Sequence, residues 1–252
     1  MRYPMITGHT GNDGTPPNSI QSINKSIFFG ADAFEVDIRK DRNSVLVLSH
    51  YAQNQEGYNT CLRLTEAFEI AAQHPEIHIN CDLKDDNLPL EVASLAHSFG
   101  ISANRLILSG TVTPSFLTRH PEIVEMADIY LNVECVVDKI YFQKISQSNK
   151  LQQDTTNHSP WNEIKKVASG IDPYIEILSE TCLKYGVKGI NISYVCLTDK
   201  NIRDFEKRGI PLSVWTVNDQ VEMARLFSCH VENITTLRVA EAKSVRKNLL
   251  GF

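Results

Sequence analysis

Apolar runs of strand length alternate with stretches of helical period along almost the whole chain. Nine runs have strand character: residues 4–9, 33–38, 45–49, 77–83, 106–109, 129–135, 189–193, 211–217 and 231–235. Between them lie segments with apolar residues at helical spacing, among them 68–72, 89–99 and 221–227. Such alternation predicts parallel α/β architecture. The 45–49 run breaks the rule, because only Arg39 to Ser44 separate it from Ile38 and a parallel crossover needs about a dozen residues or more. It is therefore expected to return as the antiparallel arm of a hairpin after the second strand. The eight strands that remain predict a closed (β/α)8 barrel of the TIM type, and 252 residues suit one such domain of about 250.

The connections add little to that frame. About twenty-five residues follow His50 before the next strand, too few for a further domain, and Gln53 to Gly57 are loop-like within them. A longer connection runs from Val136 to Lys188, with a polar middle from Ser146 to Pro160 that is read as a solvated surface loop rather than a cover over a site. No internal repeat or interdomain linker is visible.

Composition narrows the functional classes. Hydrophobic residues make up 42% and charged residues 22%, with a formal net charge of −5, which argues against nucleic acid as a partner. No apolar run approaches the ~20 residues of a transmembrane helix. The chain enters its first strand at Tyr3 to Gly8 without room for a signal sequence, so a cytoplasmic protein is expected. Six cysteines lie apart without zinc-ligand spacing, as expected of reduced thiols in that compartment. Nothing in the sequence fixes an oligomeric state.

The chemistry centres on Phe34-Glu35-Val36-Asp37-Ile38. Side chains of a strand alternate, so Glu35 and Asp37 share one face while the apolar residues take the other. Two carboxylates on one buried face are tolerated mainly with a cation or a proton between them; an edge strand with both in water is the plain alternative. His9 ends the preceding strand, His50 ends the hairpin arm, and Asp82 with Lys84 repeats the alternation, all towards the carboxyl ends of strands where barrel sites lie. Singly, a histidine there can be structural, Asp82 a helix cap and Lys84 a surface partner of Asp85 and Asp86. Jointly, three oxygen ligands suit one divalent cation, Mg²⁺ or Ca²⁺, with Lys84 completing an anion receptor and the histidines moving protons. Cleavage of a small phosphodiester fits that set.

These residues resemble the glycerophosphodiester phosphodiesterases. The resemblance runs through His9-Thr10-Gly11, Pro16-Pro17-Asn18-Ser19, Glu35-Val36-Asp37, Val47-Leu48-Ser49-His50, Asp82-Leu83-Lys84 and Val214-Trp215-Thr216-Val217-Asn218, in order and spanning nearly the whole chain. It implies His9 and His50 as acid and base, Glu35, Asp37 and Asp82 as metal ligands, and Lys84, Trp215 and the Thr10 position as substrate contacts. It also implies attack by the substrate's own neighbouring hydroxyl. Departures are visible: Thr10 stands where the family has arginine, Pro17 where it has glutamate, and Asp82 where it has a longer glutamate. Thr236-Leu237-Arg238-Val239 replaces Thr-Asp-Arg-Pro, and the family's insertion after the hairpin histidine is nearly missing. A divergent member is therefore expected, a metal-dependent phosphodiesterase hydrolysing glycerophosphodiesters or a close relative to an alcohol and glycerol 3-phosphate, with lysophospholipase D-type cleavage or a catalytically weak phosphoester-binding homologue as the alternatives.

Overall fold

Eight parallel strands close on themselves in the order β1 (Met5–Gly8), β9 (Asn233–Thr236), β8 (Leu212–Trp215), β7 (Gly189–Ser193), β6 (Asp128–Asn132), β5 (Leu106–Gly110), β4 (His78–Leu83) and β2 (Ala33–Lys40), with β1 pairing β2 to complete the barrel. The computed structural model describes residues 4–137, 168–229 and 231–250. The ninth strand, β3 (Leu46–Leu48), runs antiparallel to the end of β2, pairing Ile38 with Leu48 and Lys40 with Leu46. That is the expected hairpin arm.

Helices fill the connections. Ser19 caps α1 (Ile20–Phe28), Asn54 caps α2 (Gln55–Asn59), and α3 (Leu64–Gln73) leads into β4. α4 (Pro89–Ser98) and α5 (Pro114–Arg119) each begin on a proline, which has no backbone N–H to leave unsatisfied at a helix start. α6 (Ile175–Tyr185) ends on Gly186 in a left-handed conformation, φ 66°. Thr198 and Asp219 cap α7 (Asp199–Lys207) and α8 (Gln220–Ser228), and α9 (Val239–Leu250) closes the ring.

The core lies between strands and helices. Phe34, Val36, Ile38, Ile79, Cys81, Leu83, Leu108, Ile190 and Val214 are buried there, each large aliphatic side chain contributing roughly 1.5–3 kcal/mol. The alternate residues point into the barrel, and many of them are polar. Ser109 donates to Asn80 (3.0 Å), Thr7 donates to Asn233 (2.7 Å), and Asn233 donates to Ser213 (3.0 Å). These satisfied bonds let amides and hydroxyls sit where apolar layers usually fill a barrel.

One strand expectation needs correction. The 129–135 run ends as a strand at Asn132, and residues 133–137 are helical. Val133, Val136 and Val137 are buried at helical spacing, which carries Glu134 to the cavity described below. The polar segment 146–160, read as a surface loop, lies outside the described residues. Among those residues, no helix is long and apolar enough to cross a membrane.

Candidate active site

Three carboxylates meet at the carboxyl ends of neighbouring strands because β2 and β4 are in register, with Glu35 beside Asn80 and Asp37 beside Asp82. Glu35 and Asp37 are 5% and 1% exposed, which rules out the solvated edge strand. Gly110 makes room for the third, since a Cβ at this residue, φ +79°, would meet an Asp82 oxygen and the backbone of Leu83.

Each carboxylate has a different set of partners. Asp37 accepts from Lys84 Nζ at 3.0 Å and from the Asn18 side-chain amide at 2.9 Å. Asp82 accepts from Lys84 at 2.7 Å through one oxygen, while its other oxygen and Glu35 Oε2 are buried without a hydrogen bond. One oxygen from each of Glu35, Asp37 and Asp82 lies within 4.8 Å of the others. Ligands at the ~2.0–2.6 Å of Mg²⁺ or Ca²⁺ span up to about 5 Å across the ion, so the cluster fits a single hard divalent cation. Orphaned buried carboxylate oxygens are what such a cation would satisfy.

Electrostatics point the same way. Burial pushes Glu35 up from 4.5 to about 7, against the opposing pull of His9, and the charges of Asp82 and Asp37 add to the rise. Burial likewise raises Asp82, with Lys84 opposing. Burial lowers the His9 imidazole, but Glu35, the Thr10 carbonyl, Asp37 and Asp82 together leave it above 6.5. Lys84, despite burial, is held well above its usual value by Asp82 and Asp37 and stays cationic.

All three shifts at Glu35, Asp82 and His9 run upwards, so the folded protein holds protons that the unfolded chain releases first. Their contribution is therefore greatest at acid pH and is lost as pH rises through about 7, where Glu35 ionises. Melting temperature in chelator is expected to fall by on the order of 5–10 °C between about pH 5 and about pH 8 relative to Glu35→Gln, and Mg²⁺ or Ca²⁺ should recover it most at the alkaline end. Thermal melts with and without EDTA check this. Equal slopes in wild type and Glu35→Gln would contradict it.

The histidines differ in character. His9 Nδ1 lies 2.8 Å from the Thr10 carbonyl, which can only accept, so Nδ1 carries the proton and Nε2 of the neutral ring presents its lone pair inward, 3.8 Å from Glu35. The backbone N–H of His9 donates to the Thr236 carbonyl at 2.8 Å, fixing the residue where β1 ends. His50 is exposed, its ring edge against Tyr51 at 4.5 Å between centroids.

A cavity of about 200 Å³ unites most of the expected residues: His9, Glu35, Asp37, His50, Asp82, Lys84 and Trp215 all line it. Thr10 does not. It is 5% exposed, and its hydroxyl accepts from the Asn18 backbone and contacts the Asn18 side chain at 3.3 Å. Asn18, at φ 52°, then grips Asp37 twice, donating to its carboxylate and accepting from its backbone N–H at 3.0 Å. Asparagine is one of the few residues that sits easily there. Lys84 pairs with Asp37 and Asp82, not with Asp85, which pairs with Arg39.

Several lining residues were not anticipated. Asn132, Glu134 and Asn191 form the opposite wall: Asn132 donates to Glu134 at 2.8 Å and accepts from the Gly110 backbone at 3.0 Å, and the Asn191 amide lies 3.2 Å from the Trp215 indole nitrogen. The period-two pattern of Asn80 with Asp82 and of Asn191 with Ser193 was the available signal.

No family model and no curated protein sequence matches the chain. Solved structures do. A glycerophosphodiester phosphodiesterase from Parabacteroides distasonis is 15% identical with a TM-score of 0.66, covering 99% of this chain and 98% of that one. Its counterpart from Agrobacterium tumefaciens is 15% identical, TM-score 0.66, covering 97% and 99%. A phosphodiesterase from Oleispira antarctica, solved in complex with the product sn-glycerol-3-phosphate, is 14% identical, TM-score 0.63, covering 96% of each chain. From end to end, this chain has the fold of the solved glycerophosphodiester phosphodiesterases.

Proposed function

We propose that the protein is a phosphoric diester hydrolase that cleaves glycerophosphodiesters to an alcohol and glycerol 3-phosphate. The observation that carries this reading is the convergence of three buried carboxylates, a lysine and two histidines on one cavity of small-molecule size. Glu35, Asp37 and Asp82 would hold one divalent cation, Mg²⁺ or Ca²⁺. Such a cation supplies Lewis acidity that neutralises charge on phosphoryl oxygens.

The chain's own groups perform the proton transfers. His9, through Nε2, takes the proton of the substrate hydroxyl next to the phosphate as that oxygen bonds to phosphorus. His50, at the cavity mouth, gives a proton to the alcohol oxygen as its bond to phosphorus breaks. Water then opens the cyclic phosphate with the two roles reversed, so both histidines return to their starting states. Lys84 has three N–H donors, and with Asp37 and Asp82 taking two, the third faces the phosphate. Trp215 walls the alcohol side. Thr10 acts indirectly, by holding Asn18 against Asp37.

A second reading, cleavage of lysophospholipids, draws on the rim. Ile20, Val195, Val221 and Leu237 are exposed on loops or helix starts that follow the neighbouring barrel strands β1, β7, β8 and β9, and Tyr51 is exposed after the hairpin arm, an arc where an acyl chain would lie. The free cysteines fit a reducing, cytoplasmic setting. Release of glycerol phosphate from a panel of glycerophosphodiesters and lysophospholipids, followed with a coupled dehydrogenase, tests the proposal. Turnover of a member of the panel supports it, and the preferred alcohol separates the two readings. Binding of the diesters without turnover would mark a phosphoester-binding homologue instead.

A further inference from the structure

Arg39 lies just beyond the carboxylates on β2, where that strand extends above the barrel and pairs with the hairpin arm. Its side chain is 18% exposed and spans three segments. Nε donates to the His50 carbonyl at 3.2 Å, and Nη1 donates to the Lys84 carbonyl at 3.3 Å. Asp85 closes the arrangement: one carboxylate oxygen pairs with Nη1 of Arg39, and the other accepts from the Lys40 backbone at 2.9 Å. One planar guanidinium thus ties together the segments that carry the exposed histidine and the phosphate-facing lysine.

Both segments also hang on β2, where the Ser49 N–H donates to the Asp37 carbonyl and the Lys84 N–H to the Ile38 carbonyl, each at 2.9 Å, but past Ser49 it is Arg39 that holds the His50 carbonyl. His50 follows β3, a strand of three residues, and its ring meets the ring of Tyr51, itself 72% exposed. Lys84 follows β4, and its ammonium is anchored separately by Asp37 and Asp82. The arm itself is held to β2 as far as Ser49, so without Arg39 it is the chain from His50 onward that can shift against the barrel mouth while Lys84 stays in place. Displacing a proton donor by about 1 Å is enough to cost on the order of 100-fold in rate.

We infer that Arg39, locked by Asp85, is a positioning residue that fixes the distance between His50 and the Lys84 phosphate site. This rests on the roles given above to His50 and Lys84. A single ammonium does not reproduce the fork, because two donors in fixed, diverging directions reach two carbonyls. The clamp acts on backbone atoms, so it sets where His50 stands without touching the substrate.

Arg105 supplies the control. It clamps the carbonyls of Ala71, His74 and Ile77 at 2.7–3.1 Å where the chain enters β4, at the opposite end of the barrel. Arg39→Ala and Arg105→Ala should both lower melting temperature. Only Arg39→Ala is expected to lower kcat, by roughly 10-fold to 100-fold with a smaller change in KM, and Arg39→Lys should not restore it. In a His50→Ala background the same substitution should cost little more, since the residue it positions is gone.

Histidine ring signals measured by NMR in the ligand-free protein read the clamp without turnover. The His50 signals should shift or broaden in Arg39→Ala and stay unchanged in Arg105→Ala, whereas those of His9 should hold in both. Wild-type His50 signals in a folded Arg39→Ala, or a kcat loss that multiplies in full with that of His50→Ala, would overturn the inference. Failure of the wild-type protein to hydrolyse any diester would count against the reaction proposed above, while the ring signals would still decide on the clamp.

Discussion

Alanine in place of either His9 or His50 is expected to lower kcat by about 10² to 10⁴-fold, the usual worth of a positioned acid or base. The two losses should differ in kind. His9 is held by the Thr10 carbonyl and the Thr236 carbonyl, with Nε2 directed at the carboxylate cluster. In the proposed mechanism its removal takes away the group that accepts the nucleophile's proton, so a good leaving group should not rescue it. His50 stands exposed at the mouth. In the proposed mechanism its removal takes away the leaving group's proton source, so the deficit should shrink markedly for a nitrophenyl ester whose alcohol leaves without protonation. Steady-state kinetics of both variants on an alkyl and a nitrophenyl diester check this pattern. Equal deficits on both substrates would show that the acid and base are not divided in this way.

Lys84→Ala should rank beside them. In the proposed mechanism the ammonium gives the phosphate a charged hydrogen bond, and in the structure it offsets two carboxylates that it touches at 3.0 and 2.7 Å. A charged hydrogen bond is worth about 1.5–3 kcal/mol, so a 10-fold to 100-fold loss follows from the phosphate contact alone. Removing the charge also leaves Asp37 and Asp82 facing each other with Glu35 nearby. The variant is therefore expected to bind a divalent cation more tightly while turning over more slowly, a combination that calorimetry and kinetics measure together. Weaker cation binding in a folded Lys84→Ala protein would contradict the electrostatic account. Lys84→Arg should not recover full activity, because the guanidinium fork does not match a site built around one compact ammonium.

Much of this arrangement was legible in the chain because strands write their two faces as alternation. Glu35 and Asp37 between apolar neighbours announced one polar face, and the short link from Ile38 to Val45 forced an antiparallel arm, as β3 shows. Boundaries were harder. At 129–135 the chain passes from strand to helix at Asn132 with no glycine, proline or turn residues after it, so Glu134 was read within a strand and its place in the cavity was missed. Thr10 was expected to face the substrate because it stands where the resembling family has an arginine, yet its hydroxyl is taken up by Asn18. That pairing depends on the left-handed turn at Asn18, which no periodicity reports. Arg39 was invisible for a similar reason: its partners sit 11 and 45 residues away, on two separate segments. The polar barrel interior was written in the sequence, as Asn80, Asn132, Asn191 and Asn233 within strand-like runs, but only the closed sheet shows that these amides bond to one another or to hydroxyls beside them.

The central claim is that Glu35, Asp37 and Asp82 together hold the divalent cation on which diester cleavage depends. Protein stripped with EDTA and dialysed into metal-free buffer should release no glycerol phosphate from a diester that the untreated protein cleaves, and added Mg²⁺ or Ca²⁺ should restore turnover in a saturable, one-site manner. Asp37→Asn should show neither cation binding by calorimetry nor restored turnover. Full activity in the stripped protein, or in Asp37→Asn with EDTA present, would contradict the account.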